Sequence, residues 1–161
     1  MANTSTYPLT KMNFMVYADS LECNASFTEI TGIEASVDVI EFRQGNSGSL
    51  SPVKIPGLVK HGNVTLKMGY TASNAFKEWI VACTSSQRGA DFPRKELKIE
   101  LIDIQNNASP TTNVTTSQNG KIWILSNAWV AKYNGPDLDA KNSDVAIESM
   151  EIAYEELTIP N

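Results

Sequence analysis

The chain has 161 residues, 42% of them hydrophobic and 19% charged, with 13 Lys plus Arg against 18 Asp plus Glu and a formal net charge of −5. That length suits one domain around one core, burying roughly 70% of its unfolded surface, so neither a disulfide nor a metal is required for folding. The acidic balance argues against nucleic acid or an anionic membrane as a stable partner, because both select basic surfaces.

Residues 1–11 are small and polar and read as a flexible N-terminal arm, leaving 12–161 as a single domain. The opening MANTSTYPLTKM has no basic n-region and no long apolar run, so no secretory signal is expected. No stretch of the chain is long and apolar enough to span a bilayer. The Asn-x-Ser/Thr triplets at Asn24, Asn63 and Asn113 then read as chance matches.

The run Phe14-Met15-Val16-Tyr17 predicts a strand covered on both faces. Residues 27–33 and 37–42 read as a broken strand pair interrupted at Gly32 by a bulge or bend. Residues 43–60 change character. Gly45, Gly48, Pro52, Pro56, Gly57 and several serines predict a long loop or an extended hairpin tip. Val53, Ile55, Leu58 and Val59 near its end are apolar, and apolar residues on a loop need a partner surface. Val64, Leu66 and Met68 alternate with polar residues and give the cleanest strand.

A helix fits 74–83, where Phe76, Trp79, Ile80 and Cys83 make one stripe at i, i+3, i+4 and i+7. Thr71 and Ser73 are candidate N-caps. Leu97, Ile99 and Leu101 alternate in a further strand. Residues 106–120 form a polar loop, and 122–133 return to strand character. The last element fits a helix through Ile147, Met150, Tyr154 and Leu157, or a strand through Met150, Ile152 and Tyr154. Periodicity alone does not choose. The expected fold class is mainly β: an antiparallel sandwich- or barrel-like domain with one short helix and a long extended loop.

Catalytic and metal sites find little support. His61 is the only histidine, and any Ser-His-Asp or Cys-His site would have to use it. One His and two distant cysteines cannot make a zinc site. Cys23 and Cys83 lack a C-x-x-C spacing and read as buried free thiols. Asp137, Asp139 and Asp144 superficially suggest a calcium loop, but counting from Asp137 places Asn142 where an EF-hand needs Gly. Asn134-Gly135-Pro136-Asp137 instead has the residues of a sharp chain reversal. Residues 45–49 are glycine-rich without the Gly-Lys-Ser/Thr ending of a phosphate loop. Glu148, Glu151, Glu155 and Glu156 form an acidic cluster along one element, which reads as a solvated or lumen-facing face rather than a glycosidase pair. No cofactor is expected.

Three blocks carry a resemblance. Residues 27–45 read FTEITGIEASVDVIEFRQG, 54–69 read KIPGLVKHGNVTLKMG, and 127–149 read NAWVAKYNGPDLDAKNSDVAIES. In this order they resemble the tube proteins of contractile tails: long-tailed phages, tailocin-like particles and extracellular contractile injection systems. The resemblance implies homo-hexameric rings, each protomer lending strands to one continuous barrel, stacked head-to-tail into a hollow rigid pipe. It favours a strand for the last element.

It also implies that Gly45, Val53, Lys54, Ile55, Pro56, Gly57, Leu58, Val59 and Lys60 reach onto the neighbouring ring. Gly135, Pro136, Asp137, Leu138 and Asp139 would form a turn at a protomer or ring contact. Implied partners are further copies of the chain, a contractile sheath, baseplate, spike and terminator proteins, and a cargo of effector protein or DNA in the lumen. Synthesis in a bacterial cytoplasm and assembly into a tail or injection particle follow from the same resemblance. The competing readings are a type VI secretion tube subunit, a monomeric β-barrel that binds a ligand in an apolar pocket, and a small hydrolase using the Glu cluster.

Overall fold

The computed structural model describes residues 14–18, 27–69, 75–85, 92–102 and 120–160. The expected N-terminal arm, the polar loop before Gly120, the N-cap candidates Thr71 and Ser73, and Cys23 lie outside these residues. Nine strands and one helix are described: β1 Phe14–Ala18, β2 Phe27–Thr31, β3 Ala35–Phe42, β4 Val53–His61, β5 Val64–Gly69, α1 Ala75–Thr84, β6 Lys95–Ile102, β7 Gly120–Asn134, β8 Ile147–Ala153 and β9 Glu156–Thr158.

All pairings are antiparallel. The main sheet runs β1-β6-β7-β8-β5-β2, with β9 also on β7. β7 is the hinge of this sheet. Fifteen residues at about 3.3 Å each make it roughly 50 Å long, more than one flat sheet of short neighbours can use. Its first half pairs with β6 and β9, and its second half with β8. The change occurs around Asn127, whose φ is +53°, a left-handed conformation that Asn tolerates better than most residues. Asn127 Nδ2 donates to Glu155 Oε2 at 3.0 Å, and the Glu155 amide donates to the Ser126 carbonyl at 3.1 Å. The corner is therefore tied to the turn before β9.

Alternation along the strands determines which side chains enter the core. Val16 of β1, Leu97 and Ile99 of β6, Leu125 and Val130 of β7, Met150 and Ile152 of β8, and Val64 and Leu66 of β5 are all buried in one cluster. α1 closes this cluster. Phe76, Trp79, Ile80 and Cys83 are all buried, as their helical spacing predicts. Phe76 meets Phe27 edge-on with ring centres 5.2 Å apart, and the Trp79 indole donates to the Pro93 carbonyl at 2.8 Å. That bond satisfies the one polar atom the helix brings into the core.

Three expectations need correction. Residues 27–33 and 37–42 do not pair with each other: β2 joins β5 in the main sheet, while β3 pairs with β4 in a separate two-stranded sheet. The stretch 43–60 is a loop only to Pro52, because its apolar end is strand β4. The chain reversal falls at 139–142, where the Asn142 amide donates to the Asp139 carbonyl at 3.3 Å and the Lys141 amide to Asp139 Oδ1 at 3.0 Å. Asp139 supplies the side-chain acceptor that such turns use, and 135–138 runs straight through.

Candidate assembly interface

The separate sheet of β3 and β4 is an arm. Among the described residues the two strands pair only with each other. Both leave the body at glycines that admit no other residue easily. Gly32 has φ +89°, and a Cβ there would lie 2.5 Å from the Asn63 carbonyl oxygen. A Cβ at Gly62 would lie 2.2 Å from Glu34 Oε1. The two chain segments cross so closely at the root that backbone meets backbone.

His61, the last residue of β4, packs its ring on Tyr154 with centres 5.1 Å apart. The Tyr154 hydroxyl donates to the Glu34 carbonyl at 3.0 Å. These contacts clamp the root of the arm to the end of β8. Burial pushes the Tyr154 phenol above its ordinary pKa of about 10, against the lowering effect of the bond with the Glu34 backbone. His61 Nδ1 is buried with no hydrogen-bond partner among the described residues. With no acid or nucleophile placed against it, the ring serves packing.

Beyond the root, the arm is exposed along its length. Val39 is 60% exposed, Phe42 52%, Val53 63% and Leu58 73%. A lone two-stranded ribbon is marginal in water. This one is held internally by its ladder and by one surface ion pair, Lys60 Nζ to Asp38 Oδ2 at 2.9 Å. The tip is closed by the Ser47 amide on the Gln44 carbonyl at 3.1 Å and Arg43 Nε on the Ser49 carbonyl at 3.3 Å. A stable monomer would not carry so many large apolar side chains on a projecting ribbon.

The residues expected at the inter-ring contact therefore occupy one element: Val53 to Lys60 lie on β4, and Gly45 lies in the tip turn. Sequence reasoning missed half of the surface. Val37, Val39, Ile40 and Phe42 of β3 are also exposed. Their signal was present, since apolar residues occur at both parities of that strand without a helix or second sheet to cover both faces.

The second expected contact, Gly135 to Asp139, is an unpaired segment with Leu138 at 85% exposure. The acidic face is not one face. Glu148 is buried on the core side of β8 and accepts a hydrogen bond from the Tyr133 hydroxyl. Glu151, three residues on, points to the opposite side, as strand alternation requires. Glu155 lies in the turn after β8, exposed, bonded to Arg94 and Asn127.

Among the described residues no three of His, Cys, Asp and Glu gather as a metal site would need. Also among them, no helix is long and apolar enough to cross a membrane. Cys83 is a free, buried thiol whose pKa burial raises above its ordinary 9. A cleft of about 570 Å³ opens between the sheet's terminal strands β1 and β2, lined by Phe14, Ile30, Ile33, Leu101 and Trp123 among others.

The chain is similar to several solved structures of contractile machines. It resembles a protein of the extended sheath–tube complex of the extracellular contractile injection system PVC, at 22% identity and a TM-score of 0.73 over 96% of this chain and 93% of that one. It resembles a protein of the anti-feeding prophage cap, the AFP tube terminating cap, at 25% identity and a TM-score of 0.72 over 99% and 98%. Hcp1 from Flavobacterium johnsoniae shares the fold more distantly, at 13% identity and a TM-score of 0.50 over 91% and 93%. No curated protein matches the chain by sequence. The family model for the T4-like virus tail tube protein gp19 matches residues 10–158. A projecting apolar arm on an antiparallel β body, together with a family match spanning nearly the whole chain, places this protein in the T4-like virus tail tube protein gp19 family.

Proposed function

We propose that this tail tube subunit forms hexameric rings that stack head-to-tail into the rigid inner tube of a contractile injection particle or phage tail. The observation that carries the reading is the β3–β4 arm, clamped at its root and exposed over its length. A head-to-tail contact does not close on itself, so it builds a filament. The terminal strands β1 and β2 of the main sheet are available to continue the sheet into adjacent protomers, and a sheet closed in that way has no exposed edges. Residues 12–161 act as one tube domain. A contractile sheath surrounds the pipe, a baseplate and a terminator bound its ends, and an effector protein or DNA passes through the lumen. The subunit itself performs no chemistry: it transmits force as a rod and conducts cargo. A type VI secretion tube is the second reading, favoured only by the shared fold with Hcp1.

The test replaces Leu58 and Val59 with Asp. Both are more than half exposed in the monomer, so the fold should survive while the tube loses its contacts. Burying two such side chains is worth roughly 2–4 kcal/mol per subunit. The double variant is expected to keep its circular dichroism spectrum and to yield no tubes in negative-stain electron microscopy. Tubes of normal length would refute the role given to the arm.

A further inference from the structure

The arm carries two apolar patches, on opposite faces and at different distances from the body. Cross-strand partners share a face. The register Ala35↔His61, Val37↔Val59 and Val39↔Pro56 therefore sets Val37, Val39 and Val59 on the face of His61, which turns toward Tyr154 of the body. Further out on that same face, the cross-strand pair is Glu41↔Lys54. The opposite face has the reverse order. Asp38 and Lys60 form their ion pair near the root, and Ile40↔Ile55 and Phe42↔Val53 follow toward the tip. The bulge that sets Gly57 and Leu58 against Asp38 falls between them, and a Cβ on Gly57 would touch Ile40 Cδ1 at 3.4 Å.

Each half of the ribbon thus has one apolar side and one charged side. A single partner closing over both faces would bury the Asp38–Lys60 pair behind the root patch and the Glu41–Lys54 pair behind the tip patch. Desolvating such pairs costs more than surface geometry returns. At about 3.3 Å per residue, the root patch lies roughly 7–13 Å from the start of β3 and the tip patch roughly 16–23 Å.

We infer that two different copies of this chain hold the arm: a lateral neighbour in the same ring covers the body-side face at the root, and a copy in the next ring covers the outer face at the tip. This rests on the stacked-ring reading proposed above, in which a subunit has only lateral and axial neighbours. The root patch faces the corner between the arm and its own body, which a neighbour at the same level reaches. The tip patch faces away and stands clear of the body.

The experiment compares two double variants on the same strand, Val37→Asp with Val39→Asp and Ile40→Asp with Phe42→Asp. All four positions are at least half exposed. The tip variant should give discrete rings by sedimentation velocity and raise the concentration needed for stacking by on the order of 100-fold. The root variant should give monomers and no rings. A photo-crosslinkable phenylalanine at 39 or at 42, in assembled wild-type-like tubes, should label two different peptides of neighbouring copies. The inference is overturned if both variants stop assembly at the same stage, or if both probes label one peptide. If the unsubstituted chain forms neither rings nor tubes alone or on a baseplate extract, the stacked-ring reading itself fails, and that outcome is distinct from the other two.

Discussion

Gly32→Ala tests how the arm is aimed. The residue sits where β2 leaves the main sheet and the chain turns toward β3, at φ +89°. An L-residue in the left-handed region costs about 1–2 kcal/mol. The added Cβ would also stand 2.5 Å from the Asn63 carbonyl oxygen, closer than real Cβ contacts come, and that oxygen belongs to backbone leading into β5. Relief requires moving one of two chain segments by several tenths of an ångström, which adds strain of similar size. The sum is about 2–4 kcal/mol. Urea unfolding, followed by tryptophan fluorescence in the Leu58→Asp, Val59→Asp background to keep the chain unassembled, should show a midpoint lower by about 1–2 M. Gly45→Ala is the internal control: nothing lies within 4 Å of a Cβ there and no positive φ is involved, so it should stay within about 0.5 kcal/mol of the parent. A Gly32→Ala variant as stable as Gly45→Ala would refute the account of the root as a crossing of two backbones.

Two further outcomes follow from the body. Trp79→Phe removes the indole donor to the Pro93 carbonyl and leaves a gap in a fully packed site; a loss of about 2–4 kcal/mol, or a thermal midpoint lower by roughly 5–10 °C, is expected by calorimetry, and an unchanged midpoint would count against the bond. Tyr154 makes stability pH-dependent on the alkaline side. Its folded phenol keeps its proton above the ordinary value of about 10 while the unfolded one does not, so its contribution is intact below pH 10 and is lost as pH climbs from there through the raised folded value. Tyr154→Phe should flatten that part of the stability profile relative to the parent, and parallel profiles would disprove the assignment.

Local pattern was enough wherever one face of an element is dry and the other wet. Val64, Leu66 and Met68 announce β5 by period two. Phe76, Trp79, Ile80 and Cys83 announce α1 by their helical spacing, and both are found buried as expected. The same rule leaves two elements undetermined. In β8, Ile147, Met150 and Tyr154 satisfy a helix as well as a strand, and only pairing with β5 on one side and β7 on the other selects the strand. In β3, apolar residues occur at both parities, so alternation cannot say which face is inside, and neither face is covered by the body.

The acidic cluster shows the limit from the other side. Glu148 and Glu151 look alike in sequence, yet an odd spacing on a strand sends one into the core, where the Tyr133 hydroxyl meets it, and the other out. The chain's composition and motifs by themselves determined the class of the fold, the helix, most strands and the kinship with tail tubes, because these depend on periodicity and on residues adjacent in sequence. Tertiary structure alone decided that β2 and β3 part company at Gly32, that β4 is a strand and not a loop, and that the two form an arm held at Tyr154. Those outcomes depend on which distant strand offers hydrogen bonds and on what two backbones crossing at 62–63 leave room for, and neither quantity is written in local pattern.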